Sequence, residues 1–393
     1  MDRRTFLRAG TAASAVGAGF LAGCSGLFSV QTGYRERMPA LPENRPAAVY
    51  YPSHIEGMEM VGVSDGAAGA DSGTADTTNS DRTNRSNGSS DGSKMSAGYR
   101  CALTYSYPHR FWTVTGTRTE RVPIEDDDSL HLMVSVWDPE TGISPMDANP
   151  TVTVSKGGES VTTLSPWTML SQNMGFHTGD NVSLPGAGDY TVAVDVPPTS
   201  ARRTGAFAGR FGSRQSFEFS LTFDPEKVSN ISFEELDGKA GTRGAVEPMR
   251  MKQLPLAVAP KRDALPGRSL GTARTGDAAF VVRALDDASR FGSDGTYLVV
   301  SARTPHNGYV LPAMSLSATV RRGDETVFDG PLRATLDPEL NYHYGAGVGR
   351  IESGDELMLA VDAPPQVARH EGYETAFLDM PSRTLTVGAS SGR

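Results

Sequence analysis

The stretch LMVSVWDPETGISPMDANPTVTVSKGGESV from Leu132 lies without a gap over LVVSARTPHNGYVLPAMSLSATVRRGDETV from Leu298, an offset of 298 − 132 = 166 residues. Pro139 meets Pro305, Gly142 meets Gly308, Val154 meets Val320 and Gly157 meets Gly323. The same offset brings His177 onto His343, Gly179 onto Gly345 and Gly188 onto Gly354, and one extra residue then places Pro197 and Pro198 on Pro364 and Pro365. Strand residues, turn glycines and a loop histidine that keep register together require two tandem copies of one structural plan.

That plan is built of strands. Ala102 to Tyr107, Leu130 to Trp137, Thr151 to Ser155, Tyr190 to Val196 and Ser216 to Phe223 are short runs rich in Val, Tyr, Phe and Thr, separated by clusters of Gly, Pro, Asn and Asp. Phe217, Phe219, Leu221 and Phe223 alternate most clearly, and no stretch sustains a helical period. The expected class is all-β, two tandem antiparallel β-sandwich domains behind a disordered tether. The expected division is a signal over 1–23, a tether over 24–45, a first sandwich over 46–235, a Pro/Arg/Gly-rich linker over 236–275 and a second sandwich over 276–388. A Gly/Ala/Ser/Asp/Thr/Asn-rich insert at about 65–98 buries too little apolar surface to order itself.

The N-terminus reads as a targeting segment. Arg3 and Arg4 precede a weakly apolar run from Ala9 to Leu21, the layout of a twin-arginine signal, and the run is shorter than the roughly 20 residues a spanning helix needs. It ends in Leu21, Ala22, Gly23 and Cys24, which resembles a lipobox, so Cys24 is the expected lipidation site. The chain is thus expected at the outer face of the cytoplasmic membrane, anchored by lipid. Loss of residues 1–23 removes Asp2, Arg3, Arg4 and Arg8, moving the formal charge from −9 to −11. An acidic surface of this kind argues against nucleic acid as a partner. With six Lys among 37 basic residues, the other 31 are Arg, a bias that suits a high-salt or GC-rich source. Once Cys24 carries lipid only Cys101 remains, so the cores must stand without an internal disulfide.

The run GMEM (Gly57 to Met60) and the stretch TMLSQNMGFHTGDNVSLPGAGDYTVAVDVPP (Thr168 to Pro198) resemble the periplasmic iron-transport-associated proteins, copper-binding immunoglobulin-like sandwiches that often accompany iron permeases. Met169, His177, Gly179, Asn181, Gly186, Gly188, Tyr190 and Pro198 take the places of the family's Met loop, its His-Tyr-Gly-x-Asn, its Gly-x-Gly-x-Tyr turn and its Pro-rich exit. The second copy follows more loosely through His343, Tyr344, Gly345, Gly354 and Pro365. The resemblance implies immunoglobulin-like domains, here in a duplicated lipoprotein form of haloarchaeal type, and a copper or iron ion held by a loop Met and His, a His-x-Glu on the first core strand and a His beyond the Pro-rich exit. It also implies an iron or metal permease as partner, and a dimer or, in this duplicated chain, an intramolecular pseudo-dimer. The sequence departs from the family in having Ala102 and Thr104 at the His-x-Glu positions, and Arg202, Arg203 and Arg210 rather than His after Pro198, whereas His370 does follow Pro365.

Imidazole with thioether suits copper, and imidazole with carboxylate suits Fe, Zn or Cu(II). The expected metal ligands are accordingly His177, Met169, His109 and Met174, with His343 and His370 as secondary candidates in the second copy. His54, Met58 and Met60 read as structural residues of the opening strand, and His131 and His306 as strand and turn residues. No nucleophile elbow, metalloprotease helix or phosphate loop is present, so no enzyme is expected. The expected function is a lipid-anchored, extracytoplasmic copper- or iron-binding protein of metal uptake. The alternatives are a surface module that binds protein or glycan beside a vestigial metal site, and a purely architectural surface protein.

Overall fold

The computed structural model describes residues 38–65 and 98–388. Arg3, Arg4, Cys24 and nearly all of the Gly/Ser/Asp-rich insert lie outside the described residues. What is described is almost entirely β-structure. Among the described residues no helix is long and apolar enough to cross a membrane.

In the first copy an eight-stranded sheet runs, edge to edge, through Glu59–Ser64, Arg100–Ser106, Leu130–Trp137, Gly175–Val182, Trp167–Ser171, Ala368–Arg369, Phe111–Thr115 and Arg118–Val122. Facing it is a four-stranded sheet of Gln215–Phe223, Gly188–Val196, Thr151–Lys156 and Glu159–Leu164. The alternation read in the sequence is what joins them: Phe217, Phe219, Leu221 and Phe223 are buried while Ser216, Glu218, Ser220 and Thr222 are exposed. Leu103, Leu132, Val134, Val192 and Val194 fill the same core. Burying each such side chain contributes about 1.5–3 kcal/mol, and this is the principal force holding the sheets face to face.

The second copy forms a nine-stranded sheet around Ala278–Leu285, Thr296–Arg303, Asn341–Val348 and the long strand Glu325–Asp337. Two features depart from the division expected from composition. The stretch 236–275 is built structure rather than a free linker. Its last part, Arg268–Thr275, is a strand paired with Ala278–Leu285. Its middle lies over the first copy, where Val246 N donates to Gln172 Oε1 at 2.9 Å and Met249 N donates to the Asn173 carbonyl. Pro and Gly suppress regular ladders, but they do not stop single backbone groups from finding partners.

The second departure is an exchange of chain between the copies. After Pro197 and Pro198 the first copy sends Arg202 and Arg203 alongside Thr335 and Leu336, in parallel. After Pro364 and Pro365 the second copy sends Ala368 and Arg369 alongside Met169 and Leu170, also in parallel. Adding 166 to 169 and 170 gives 335 and 336, so the two crossings are equivalent. The next residues complete the match: Thr204 N donates to the Leu336 carbonyl and His370 N to the Leu170 carbonyl, both at 3.1 Å. Each copy therefore finishes a sheet of the other, and a residue near the C-terminus becomes part of the first copy's sheet.

Candidate metal centre

The centre lies on the face of the eight-stranded sheet that points away from the sandwich core. In Leu130–Trp137, Leu130, Leu132 and Val134 face the core, so the period of two turns His131 to the other side. In Gly175–Val182 the residues at His177, Gly179 and Asn181 share that side, because Asn181 pairs with His131 and Gly179 with Met133. His177 is in register with Met169 on its other neighbour. His109 enters from the loop between Arg100–Ser106 and Phe111–Thr115, and His370 arrives on the exchanged segment.

Four imidazoles meet there. Ring centroids are separated by 4.0 Å for His109 and His131, 4.6 Å for His109 and His370, 5.2 Å for His177 and His370, and 6.3 Å for His131 and His177. Among the described residues, one ligand nitrogen from each of His109, His131 and His370 lies within 4.8 Å of the others. Nitrogens that share one ion through bonds of about 2.0–2.1 Å stand about 3.3–4.2 Å apart, so the three would have to close by up to roughly 1.5 Å to share a cation. All four histidines are buried.

Their proton positions follow from their partners. His109 Nδ1 lies 3.0 Å from the Tyr107 carbonyl, His177 Nδ1 lies 3.2 Å from the Gly175 carbonyl and His131 Nδ1 lies 2.8 Å from Asn181 Oδ1. Each of these oxygens can only accept, so each Nδ1 carries the hydrogen and each Nε2 presents a lone pair. The Asn181 amide is oriented by its other contact, Nδ2 donating to the His109 carbonyl at 3.1 Å. Nε2 of His109, His131 and His177, and both nitrogens of His370, have no hydrogen-bond partner among the described residues. Leaving a buried polar group unpaired costs about 1–3 kcal/mol. Several such atoms gathered in one buried cluster could bind a metal.

Burial drives His131 and His177 well below the ordinary imidazole range, with further lowering from neighbouring histidines, His109 first for His131 and His370 for His177. Burial, then His370, lowers His109 to about 3. His109, His131 and His177 are therefore neutral at pH 7, the form that binds a metal. Gly179 is where the sheet yields to the cluster: a Cβ there would stand 2.7 Å from His131 Nε2 and 3.3 Å from His177 Cδ2.

Beside the cluster stands His54–Glu56, a short strand paired with Phe233–Glu235. Glu56 Oε1 is 3.8 Å from His370 Nδ1 and 4.0 Å from His109 Nδ1, and Oε2 is 4.0 Å from His54 Nε2. All three gaps exceed a hydrogen bond. Burial opposes the Glu56 charge, yet attraction to His54, then to His370 and His109, holds its carboxyl well below the usual carboxylate range. His54 and Glu56 thus place a His-x-Glu pair beside the cluster, on a strand outside the eight-stranded sheet.

Of the residues singled out in the sequence, His109 and His177 lie in the cluster. Met169 is fully buried on the same face and packs against Phe111 and Ala368. Met174 is elsewhere, in an apolar cluster with Met58, Met133, Trp137 and Leu254. His370, read as part of the second copy, belongs to the first copy's centre through the exchange. His131, read as a strand residue, is both a strand residue and a cluster member. The signal for it was present: His131 sits between core-facing Leu130 and Leu132, so its side chain had to leave the core. His306 is exposed in a turn.

His343 is not in the cluster. It occupies the equivalent place in the second copy, where the other positions have changed. Adding 166 turns His131 into Tyr297 and Met169 into Thr335. The matching backbone bonds align His370 with Thr204. Leu103 faces Val134, and Val282 faces Val300, the shifted counterpart of Val134; six residues further on from each are His109 and Ala288. His343 Nε2 is satisfied by the Tyr297 hydroxyl at 3.2 Å, and the Tyr297 ring stacks on Phe291 at 3.8 Å between centroids. One imidazole remains and its lone pair is already used.

Residues 263–386 match the model of a family described as a domain of unknown function, DUF7350. That span contains His343 and His370 but not His109, His131 or His177. No curated protein matches the chain. Among solved structures the chain is similar to as-isolated FetP of uropathogenic E. coli strain F11, produced in the E. coli periplasm. The identity is 18% and the TM-score 0.27, over 33% of this chain and 90% of that one.

Proposed function

We propose that this chain is an extracytoplasmic transition-metal-binding protein, held at the membrane surface by a lipid on Cys24 and serving copper or iron handling beside a metal permease. The observation that carries the reading is the set of buried imidazole nitrogens without other partners on His109, His131, His177 and His370, of which those of His109, His131 and His370 lie within 4.8 Å of one another. Neutral imidazoles hold Cu, Fe or Zn, and the Met169 thioether on the same face tilts the choice toward copper. Asn181 and the backbone carbonyls of Tyr107 and Gly175 fix the tautomers, the usual outer support of a histidine site. Burial keeps water from competing for the ion. The role proposed for these residues is binding of the ion.

Calorimetric titration of Cu(II), with Fe(II) and Zn(II) for comparison, into the purified full chain and into His177→Ala tests this. Stoichiometric sub-micromolar binding that His177→Ala abolishes is expected. Absence of binding, or binding indifferent to the substitution, would leave a surface-interaction role instead.

A further inference from the structure

His370 differs from its neighbours in one respect: both of its ring nitrogens are buried and unpartnered. His109, His131 and His177 each commit Nδ1 to an oxygen and keep one free lone pair. His370 has two free edges. Nδ1 is 3.8 Å from Glu56 Oε1, and Nε2 lies on a ring whose centroid is 4.6 Å from that of His109 and 5.2 Å from that of His177.

Beyond Glu56 lies a third orphan, His54 Nε2, 4.0 Å from Oε2. The His54 ring is held for that task. It stacks on Phe233 with 4.9 Å between centroids, and its Nδ1 is hydrogen-bonded to Ser53 Oγ at 2.9 Å. Ser53 Oγ in turn donates to Glu371 Oε2 at 3.0 Å, so its lone pair receives the Nδ1 hydrogen and Nε2 is left with the free pair. Arg110 pairs with Glu371 and fixes the far end of the relay. A narrow cleft lined by Pro52, His54, Glu56, Gln172, His370 and Glu371 opens beside these groups.

We propose that the pocket holds two metal ions, the first in the imidazole cluster and the second among His54, Glu56 and His370 at the cleft, with the His370 ring bridging them. This rests on the metal-binding reading above. Separations of 3.8 and 4.0 Å are too long for hydrogen bonds but fit two ligand atoms on either side of one cation with bonds of about 2.0–2.2 Å. One carboxylate and two imidazoles suit Fe, Zn or Cu(II), a harder set than the cluster with its neighbouring thioether. When the second ion binds, the remaining ring proton of His370 passes to bulk water and a nitrogen–metal bond takes its place, with no change of oxidation state. The second ion sits nearer the cleft and is the one positioned to enter or leave first.

The test loads the full chain with Cu(II), counts bound copper after desalting and records the electron paramagnetic resonance spectrum. About two equivalents are expected, with the signal per copper strongly reduced because an imidazolate bridge couples the two spins antiferromagnetically. His54→Phe, which keeps the stack on Phe233, and the near-isosteric Glu56→Gln are each expected to bind one equivalent with full signal. One equivalent in the wild type, or two uncoupled ones, would overturn the bridged pair while leaving the metal-binding reading standing. No copper, iron or zinc retained by the wild type would overturn both.

Discussion

His131 donates its Nδ1 hydrogen to Asn181 Oδ1 at 2.8 Å, across the register pair that places the two residues opposite each other on neighbouring strands. The same amide donates Nδ2 to the His109 carbonyl at 3.1 Å, so one side chain sets the tautomer of one clustered histidine and the position of another. Asn181→Ala is expected to weaken metal binding about 10–100-fold, the usual cost of losing such support. Asn181→Asp, which keeps the acceptor, is expected to recover much of the affinity. Calorimetric titration of the two variants side by side checks this; equal affinities for wild type and Asn181→Ala would show that Asn181 is only a packing residue.

Gly179 lies on an extended strand where a methyl group would reach His131 Nε2 at 2.7 Å. The new Cβ would also stand 3.2 Å from the Leu132 carbonyl oxygen, so Gly179→Ala is expected to keep its far-ultraviolet dichroism spectrum at a somewhat lower stability. Metal affinity is expected to fall about tenfold or more, because the ring must turn out of its ligand position. Unchanged affinity would mean that the His131 ring has room to move without leaving the ion.

Arg369 is fully buried and carries the exchange. Its guanidinium donates to the carbonyls of Pro365, Tyr373, Ala376 and Phe377 and lies over the Phe377 ring. Burial lowers its pKa to about 9, with Glu374 acting in the opposite sense. Arg369→Met would leave several carbonyls unpaired at about 1–3 kcal/mol each. A loss of at least about 3 kcal/mol in denaturant unfolding is expected, together with weaker metal binding, since His370 is the next residue. Retention of full stability would place the anchoring of the segment elsewhere.

Acid sensitivity should extend to the second copy. Burial lowers His343 to about 4 in the fold, against about 6.5 in the unfolded chain. The unfolded state therefore takes up the proton first as pH falls. The stability tied to neutral His343 is whole above pH 6.5 and is lost progressively down to about pH 4, at most about 3 kcal/mol in all. His109, His131 and His177 act in the same sense, so the difference between wild type and His343→Gln isolates the contribution. Unfolding free energies at several pH values between 7 and 4 are expected to show a shallower slope for the variant; parallel slopes would contradict the assignment.

The repeat, the strand runs and the facing cores were legible because they depend on local alternation and turn chemistry. Residues 216–223 bury every second side chain as their pattern required. His177 and His109 stood out as imidazoles near strand ends, and both lie in the cluster. Met174 looked equivalent to Met169 by composition, and only the register of Gly175–Val182 against Trp167–Ser171 separates them: Met169 faces His177, whereas Met174 precedes the strand.

By itself, the sequence determined an all-β chain that carries one plan of strands twice, with a histidine repeated at an offset of 166 that the structure places within strands rather than loops. Only the tertiary structure decided that one of the two histidine sites is complete. A chain segment that crosses to pair with a distant strand makes backbone hydrogen bonds any residue can make, so no local pattern announces where it will land. That crossing delivers His370 to His177, 193 positions earlier, and delivers Thr204 to Leu336 in the second copy. The outer strand His54–Glu56 and the core-averted His131 complete the centre for the same reason: their chemistry is visible in the sequence, but their neighbours are chosen by long-range packing.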